Sequence, residues 1–318
     1  MGDMPRIPRI AVVAPTPLAV VEATAALTET TRSEHDESGV HIHPGGQGLW
    51  MARMARSLGA EVTVIGPFGG ELGPLVVTML RDLDLTVRPV PYPAGNGGYI
   101  YDLRAGERHV IAHMPPPPLS RHEFDDLYGV ALVEGMDADL TVITGCEPAD
   151  VLPAEFFERL IRDIRASGGR VVADLSGDAA LAAIRAEVDV LKIAHDELLD
   201  AELADGESVP KLVAGARKLI DDGVGAVVVS RAEKPALVVD ADGVHELITP
   251  PVSTHEHRGA GDSMTAGIAV GIACGADLVD ATRLGAAAGA LNVTRGGLGT
   301  GNRDTIERIA EHVEIKEH

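Results

Sequence analysis

The sequence predicts an α/β fold built on a mostly parallel sheet, and three observations carry that prediction. Short β-branched runs alternate with longer helical patterns along the chain. The short runs are almost continuously apolar, as strands covered on both faces are. Glycine recurs between helix and strand in "SLGAEV", "ASGGRV" and "DDGVGAV", where a helix ends in the left-handed conformation. Together these mark a parallel sheet with helices between its strands.

Each element follows in order. Residues 10–14 form the first apolar strand. "SGVHIH" (38–43) alternates like a half-exposed strand and leads into "PGGQG", which opens a helix over 48–58. A strand at 62–66 and a helix at 72–83 come next. "GYIYDLRAGERHVIA" (98–112) reads as a hairpin turning about Arg104–Glu107. Neither alternating segment suits a sheet covered by helices, so both are assigned to a small extra β layer. "MPPPP" (114–118) is a stiff spacer. The rhythm then resumes, with strands at 140–144, 171–174, 188–193 and 226–230, and helices at 153–166, 178–186 and 209–221. "PALVVDADGVHELI" (235–248) is a further hairpin with Asp242-Gly243 at its turn. There is no internal repeat and no linker long enough to separate two independent domains.

Composition narrows the function. A chain of 318 residues buries a substantial core. Aromatics are only 3%, so Val, Leu, Ile and Ala must build that core. A net charge of −21 disfavours nucleic acid and anionic membranes as partners, since both need basic patches. Phosphates remain possible ligands, held locally by backbone N–H groups. The cysteines, Cys146 and Cys274, lie far apart and fit a reduced compartment. The start "MGDMPRIPRIAVVAP" lacks the apolar core of a signal peptide. The long uncharged run at 263–276 is too short and too glycine-rich to span a bilayer. A cytoplasmic enzyme is expected.

Several segments carry candidate chemistry. In "RGAGDSMTAG" (258–267) glycines open a helix, whose free N–H groups and dipole attract anions. Asp262 just inside it is either a base beside a bound phosphate or, with Ser263, a plain helix cap. In "PGGQGLW" Gly45, Gly46 and Gly48 either press a substrate against backbone or form a tight strand-to-helix turn. Trp50, the single tryptophan, packs there or lines a pocket mouth. "VLKIAHDELL" puts Lys192, His195, Asp196 and Glu197 just past a strand, where ligands bind in such folds or where acids cap a helix. The H-x-H pairs His41/His43 and His255/His257 lack an evident third ligand, which disfavours catalytic zinc. No G-x-x-x-x-G-K-[ST] or G-x-G-x-x-G frames a nucleotide site.

Taken together, the segments "PGGQG…ARMARSLGAEVTVIGPFGG", "DLTVITG", "VVADLSG", "VLKIAHDEL", "VVVS" and "RGAGDSMTAG" resemble the phosphofructokinase-B branch of the ribokinase-like carbohydrate kinases, over roughly 10–309. The resemblance implies a three-layer α/β domain spanning 1–318, with a β lid from about 18–44 and 92–114. It implies transfer of the γ-phosphoryl of ATP, with Mg²⁺, to a hydroxyl of a sugar or sugar phosphate. By that resemblance Asp262 would be the base, and Gly259, Ala260 and Gly261 the anion hole. Lys192, Ser230, Arg231 and Gly261 would lie near the nucleotide phosphates, and Asn292 near the adenine. Glu197 would hold Mg²⁺ through water. Gly45, Gly46, Gln47, Trp50 and Arg108 would meet the substrate with Asp262, and the lid would pair two copies into a homodimer.

The chain departs from that pattern at the substrate end. The Asn-Pro-Ala-x-Asp of the family reads "PTPLAV", with Val20 or a neighbour in place of the aspartate. Gln47 and Trp50 replace a lysine and an asparagine, and "GNGG" (95–98) replaces a Thr-Arg segment. The asparagine before Glu197 is Ala194, and the nucleotide loop has Ala232 and Pro235 for glycines. A sugar or sugar-phosphate kinase is therefore expected. A nucleoside kinase on the same fold and a catalytically silent binding protein are the alternatives. Two inward cations would mark a phosphosugar site, and a flat apolar slot a nucleoside site.

Overall fold

A computed structural model of the chain describes residues 6–24, 39–105, 108–253, 257–295 and 298–318. With labels in chain order, ten of the described strands form one sheet. Across it run β14 (Glu314–Glu317), β13 (Val244–Ile248), β12 (Lys234–Val239), β11 (Ala226–Arg231), β10 (Val190–Ala194), β9 (Val171–Asp174), β8 (Leu140–Thr144), β1 (Arg9–Val13), β4 (Glu61–Phe68) and β5 (Thr86–Pro91). From β11 to β5 every pairing is parallel. The last three pairings, through β14, are antiparallel.

Side chains alternate across the strands and so build two cores. Ile10 and Val12 of β1 join the core under α1 (Gln47–Ser57), α2 (Gly73–Asp82), α8 (Ala260–Ala273) and α9 (Leu278–Val293). Ala11 and Val13 join the opposite core, under α3 (Arg121–Asp137), α4 (Ala154–Ala166), α5 (Gly177–Arg185), α6 (His195–Asp200) and α7 (Val209–Asp221). The three-layer arrangement expected from the resemblance is present. α8 and α9 meet through small residues: a Cβ on Gly267 would lie 2.5 Å from the Gly285 Cα. The uncharged run at 263–276 is thus explained by close helix packing. Among the described residues no helix is long and apolar enough to cross a membrane.

A separate four-stranded sheet has the order β3 (Val40–Gly45), β2 (Leu18–Ala23), β6 (Gly97–Asp102), β7 (His109–Met114). It contains both alternating segments that were set apart from the main sheet. Gly106 and Glu107, in the expected turn, lie outside the described residues. The hairpin at 235–248 instead extends the main sheet, as β12 and β13. The strand expected from 188 begins at Val190, because Glu187 turns the chain with φ 55°.

Candidate active site

The turn before α8 is built around Gly259, whose φ of 71° lies in the left-handed region that favours glycine. Helix geometry leaves the N–H groups of the first turn, at Ala260 to Asp262, without intrahelical acceptors. Gly259 occupies the cap position and no side chain caps the helix. The capping alternative for Asp262 and Ser263 is therefore overturned, and the Ser263 hydroxyl is buried without a partner.

Asp262 is 7% exposed. Burial pushes its pKa up to about 8; the Asp174 carboxylate adds to the rise, the Lys192 ammonium opposes it, and Glu197 adds a further push. Asp174, the last residue of β9, stands in register with Lys192 in the middle of the neighbouring parallel strand β10. Their Nζ and Oδ1 are 3.0 Å apart and both side chains are buried. The Thr265 hydroxyl, one turn into α8, donates to the other Asp174 oxygen at 2.7 Å. Burial alone would lower the pKa of Lys192, but the carboxylates of Asp174, Asp262 and Glu197 hold it above the ordinary lysine value. A Cβ on Gly261 would lie 2.9 Å from the Lys192 Nζ, so glycine there lets the ammonium reach the turn. The cluster thus has one ammonium among three carboxylates.

Beside it is a cavity of about 300 Å³. Asp174 and Glu197 line one part of it. The lid sheet covers another part with alternate residues of its strands: Val20, His43 and Tyr99, which stand in register across β2, β3 and β6. Gly46, Gln47, Trp50 and Arg108, expected at the substrate, all line this cavity. Gly45 instead packs against lid strand β2, where a Cβ would meet the Val20 side chain at 2.4 Å. At Gly46, with φ 102°, a Cβ would lie 2.7 Å from the Thr16 carbonyl oxygen. Polar residues of this lining to which the sequence assigned no role include Glu147, Tyr99, Tyr101 and Arg258.

The nucleotide-side candidates divide. Ser230 pairs with Ala194 at the same sheet edge as Lys192. Ala232, at a family glycine position, keeps a glycine-like φ of 52°. Arg231 is corrected: it is 8% exposed, 3.0 Å from Glu246 and bonded to the Pro235 carbonyl, so it is held within the sheet and not offered to a phosphate. Asn292 is corrected too. Its Nδ2 donates to the Arg258 carbonyl at 2.7 Å and its Oδ1 accepts the Gly299 N–H at 2.9 Å. Its amide braces the turn before α8; this differs from the expected place beside an adenine. Glu197 accepts the Ala194 N–H at 2.8 Å, as an acid in the first turn of a helix does, and also lines the cavity. Burial raises its pKa, against the Ala194 bond and Lys192, which lower it. His43 lines the cavity and His41 lies on the same strand, while His255 is outside the described residues.

The bracing role of Asn292 sets an expected result. Asn292→Ala removes the partner of a part-buried carbonyl and of a buried N–H, which costs about 2–4 kcal/mol in all. Urea denaturation should show that loss, and kcat should fall more than KM changes, because the turn loosens.

Comparisons with known proteins agree on one family. Residues 9–305 match the pfkB family of carbohydrate kinases. Over 275 residues the chain is 32% identical to the ATP-dependent 6-phosphofructokinase isozyme 2 of Mycobacterium tuberculosis, covering 84% of this chain and 79% of that protein. Phosphofructokinase-2 from Escherichia coli, solved with potassium, is similar with a TM-score of 0.83 and 25% identity over 97% of this chain and 99% of that one. Ribokinase from Arabidopsis thaliana, solved with ribose and ATP, shares the fold with a TM-score of 0.72 and 17% identity over 96% of this chain and 99% of that one.

Proposed function

Since the chain belongs to the pfkB family of carbohydrate kinases, we propose that it transfers the γ-phosphoryl group of ATP to a hydroxyl of a sugar or sugar phosphate, with Asp262 as the base. The observation that carries this reading is the position of Asp262: buried at the start of α8, behind a left-handed glycine, and coupled to carboxylates that line a lidded cavity. A carboxylate held at about 8 takes a proton readily once ionised. The N–H groups of the cap residue Gly259 and of Ala260 and Gly261, which open the helix, would face the charge that develops on the moving phosphoryl. Lys192 supplies a fixed positive charge beside that turn. Lid strands over the cavity exclude water, which would otherwise accept the phosphoryl.

Mg²⁺ fits the donors present. Asp174 and Glu197 both line the cavity, which suits an ion that keeps its waters and binds through one or two carboxylates plus phosphates. Glu197, whose pKa is raised by burial and which lines the cavity, would hold it. When bound, the ion would neutralise charge between the β- and γ-phosphates.

The test is ADP release over a panel of sugars, sugar phosphates and nucleosides, beside Asp262→Asn. Turnover on a nucleoside alone would favour the alternative substrate class, for which Trp50 and the stacked Tyr99 and Tyr101 provide flat surface. No turnover in a folded protein that also fails to bind ATP would favour a silent binding protein. The free thiols at Cys146 and Cys274 suit the reducing cytoplasm as its place of action.

The lid also supports a homodimer. On the sheet face opposite the cavity, Ile42, Val21, Ile100 and Ala112 form one row in register. Val40 is 69% exposed and Met114 54%. An apolar sheet face of this kind suits a second copy. Ile100→Glu should weaken association by about tenfold or more, which sedimentation velocity would read as a shift to monomer.

A further inference from the structure

Leu298 and Gly299 follow α9 and lie between two parts of the site. Leu298 is buried and lines the cavity. A Cβ on Gly259, the cap of α8, would lie 3.6 Å from the Leu298 Cβ, so Leu298 packs directly on the turn before α8. Gly299 is left-handed, with φ 66°, and a Cβ there would overlap the Trp50 carbonyl oxygen. The backbone of α1 therefore presses on this loop from the other side.

The single peptide unit that joins Leu298 to Gly299 is bonded at both of its polar ends. Its N–H donates to the Asn292 Oδ1 at 2.9 Å, and the same amide donates to the Arg258 carbonyl at 2.7 Å. That route runs through α9. Its carbonyl accepts Arg53 Nη1 at 3.0 Å, and that route runs through α1. A peptide unit is planar, so holding its oxygen and its N–H together fixes its orientation. Arg53 and Trp50 are three residues apart and share a face of α1. Trp50 lines the cavity with Gly46 and Gln47.

Holding a carbonyl with a guanidinium carries a desolvation cost. Burial lowers the pKa of Arg53, and no carboxylate among the described residues offsets that. In return the long stem and planar fork supply reach and a fixed donor direction. A loop that spaces two parts of a site needs both.

Resting on the kinase reading above, we propose that Arg53 is a positioning residue. With Asn292 it fixes the Leu298–Gly299 peptide unit as a spacer between the cavity wall on α1 and the turn before α8, and so sets the acceptor hydroxyl at its distance from Asp262 and the phosphoryl group. A misplacement of about 1 Å at such a spacer is enough to cost on the order of 100-fold in rate.

Arg53→Met keeps the stem and removes the donors. Its kcat per ADP-binding site, with sites counted by titration calorimetry, should fall about 10- to 100-fold. KM for the active acceptor should stay within about threefold. A merely structural role lowers the number of sites and leaves the turnover of each unchanged. Arg53→Lys should recover part of the loss, since an ammonium can reach the carbonyl without the fork. Because Arg53 and Asn292 hold one peptide unit, Arg53→Met combined with Asn292→Ala should turn over about as slowly as the worse single variant. Turnover per site within about twofold of wild type in Arg53→Met overturns the proposal, and so does a loss confined to KM. Two losses that simply multiply in the double variant overturn it as well. Should Arg53→Met not fold, Arg53→Lys beside Asn292→Ala makes the same comparison. Failure of the kinase reading looks different: wild-type protein then releases no ADP with any acceptor, and the role of Arg53 falls with it.

Discussion

Asp262→Asn should lower kcat by about 100-fold or more while KM for the active substrate stays within a few-fold. The asparagine keeps the shape at the start of α8 and cannot accept the hydroxyl proton. Wild-type kcat/KM should rise with pH through about 8 and level off above it, because the free enzyme needs the ionised carboxylate. The residual activity of the variant should lack that limb. A pH profile flat through this window would remove Asp262 from the role of base.

The same carboxyl has a cost in stability. Its pKa is about 8 in the folded chain against an ordinary value of 3.8. Between these two pH values the unfolded chain has released its proton and the folded chain still holds it. Folded protein therefore binds more protons, and stability falls as pH rises through the window, with the full penalty present above 8. Asparagine removes the ionisation. Asp262→Asn should thus be more stable than wild type at pH 9, by an amount on the order of a few kcal/mol, and the gain should vanish toward pH 4. Thermal melts of both proteins across that range check it. Gain of stability with loss of activity in one substitution is the pattern of a group kept for chemistry.

Much of the site was legible because the chemistry sits where the backbone pattern is strongest. Continuous apolar runs mark parallel strands, and ligands gather at the carboxyl ends of such strands. Lys192 and Ser230 follow from that rule. Asp174 follows from it equally, as the last residue of β9 in register with Lys192, although "VVADLSG" alone does not say which neighbour it faces. Other features needed coordinates. A buried amide can brace a loop or bind a base, and only the bonds from Asn292 to Arg258 and Gly299 decide between them. Arg231 looks like a phosphate ligand until Glu246, on a strand two places away, claims it. Among the elements, β5 carries Pro89 and Pro91, which argue against an interior strand; the chain places it at the end of the main sheet, where a missing N–H is tolerated. α9 is buried around most of its surface and so lacks a polar stripe to reveal its period. α3 does carry a sequence signal, the Ser120–Glu123 capping box, with its N–H and carboxylate bonds both formed.

Lys192→Met should be among the most destabilising single changes in this chain. The ammonium is the cation nearest to Asp174, Asp262 and Glu197, and its pair with Asp174 is almost fully out of water. Removing one partner of such a pair leaves an uncompensated buried charge, a loss of about 3–5 kcal/mol. Methionine has a similar volume, so packing contributes little to that figure. Urea denaturation at neutral pH measures it. Asp174→Asn combined with Lys192→Met should recover part of the loss, because the double variant no longer buries the unpaired carboxylate, while the Thr265 hydroxyl can still bond the amide oxygen. A single-variant cost below about 1 kcal/mol would mean that water reaches the pair and screens it. Loss of the ammonium also removes the one charge that lowers the Asp262 pKa. Activity remaining in Lys192→Met should therefore show its pH limb above that of wild type. That displacement separates an electrostatic role at the base from a purely structural one, since a folding defect alone lowers activity at every pH without moving the limb.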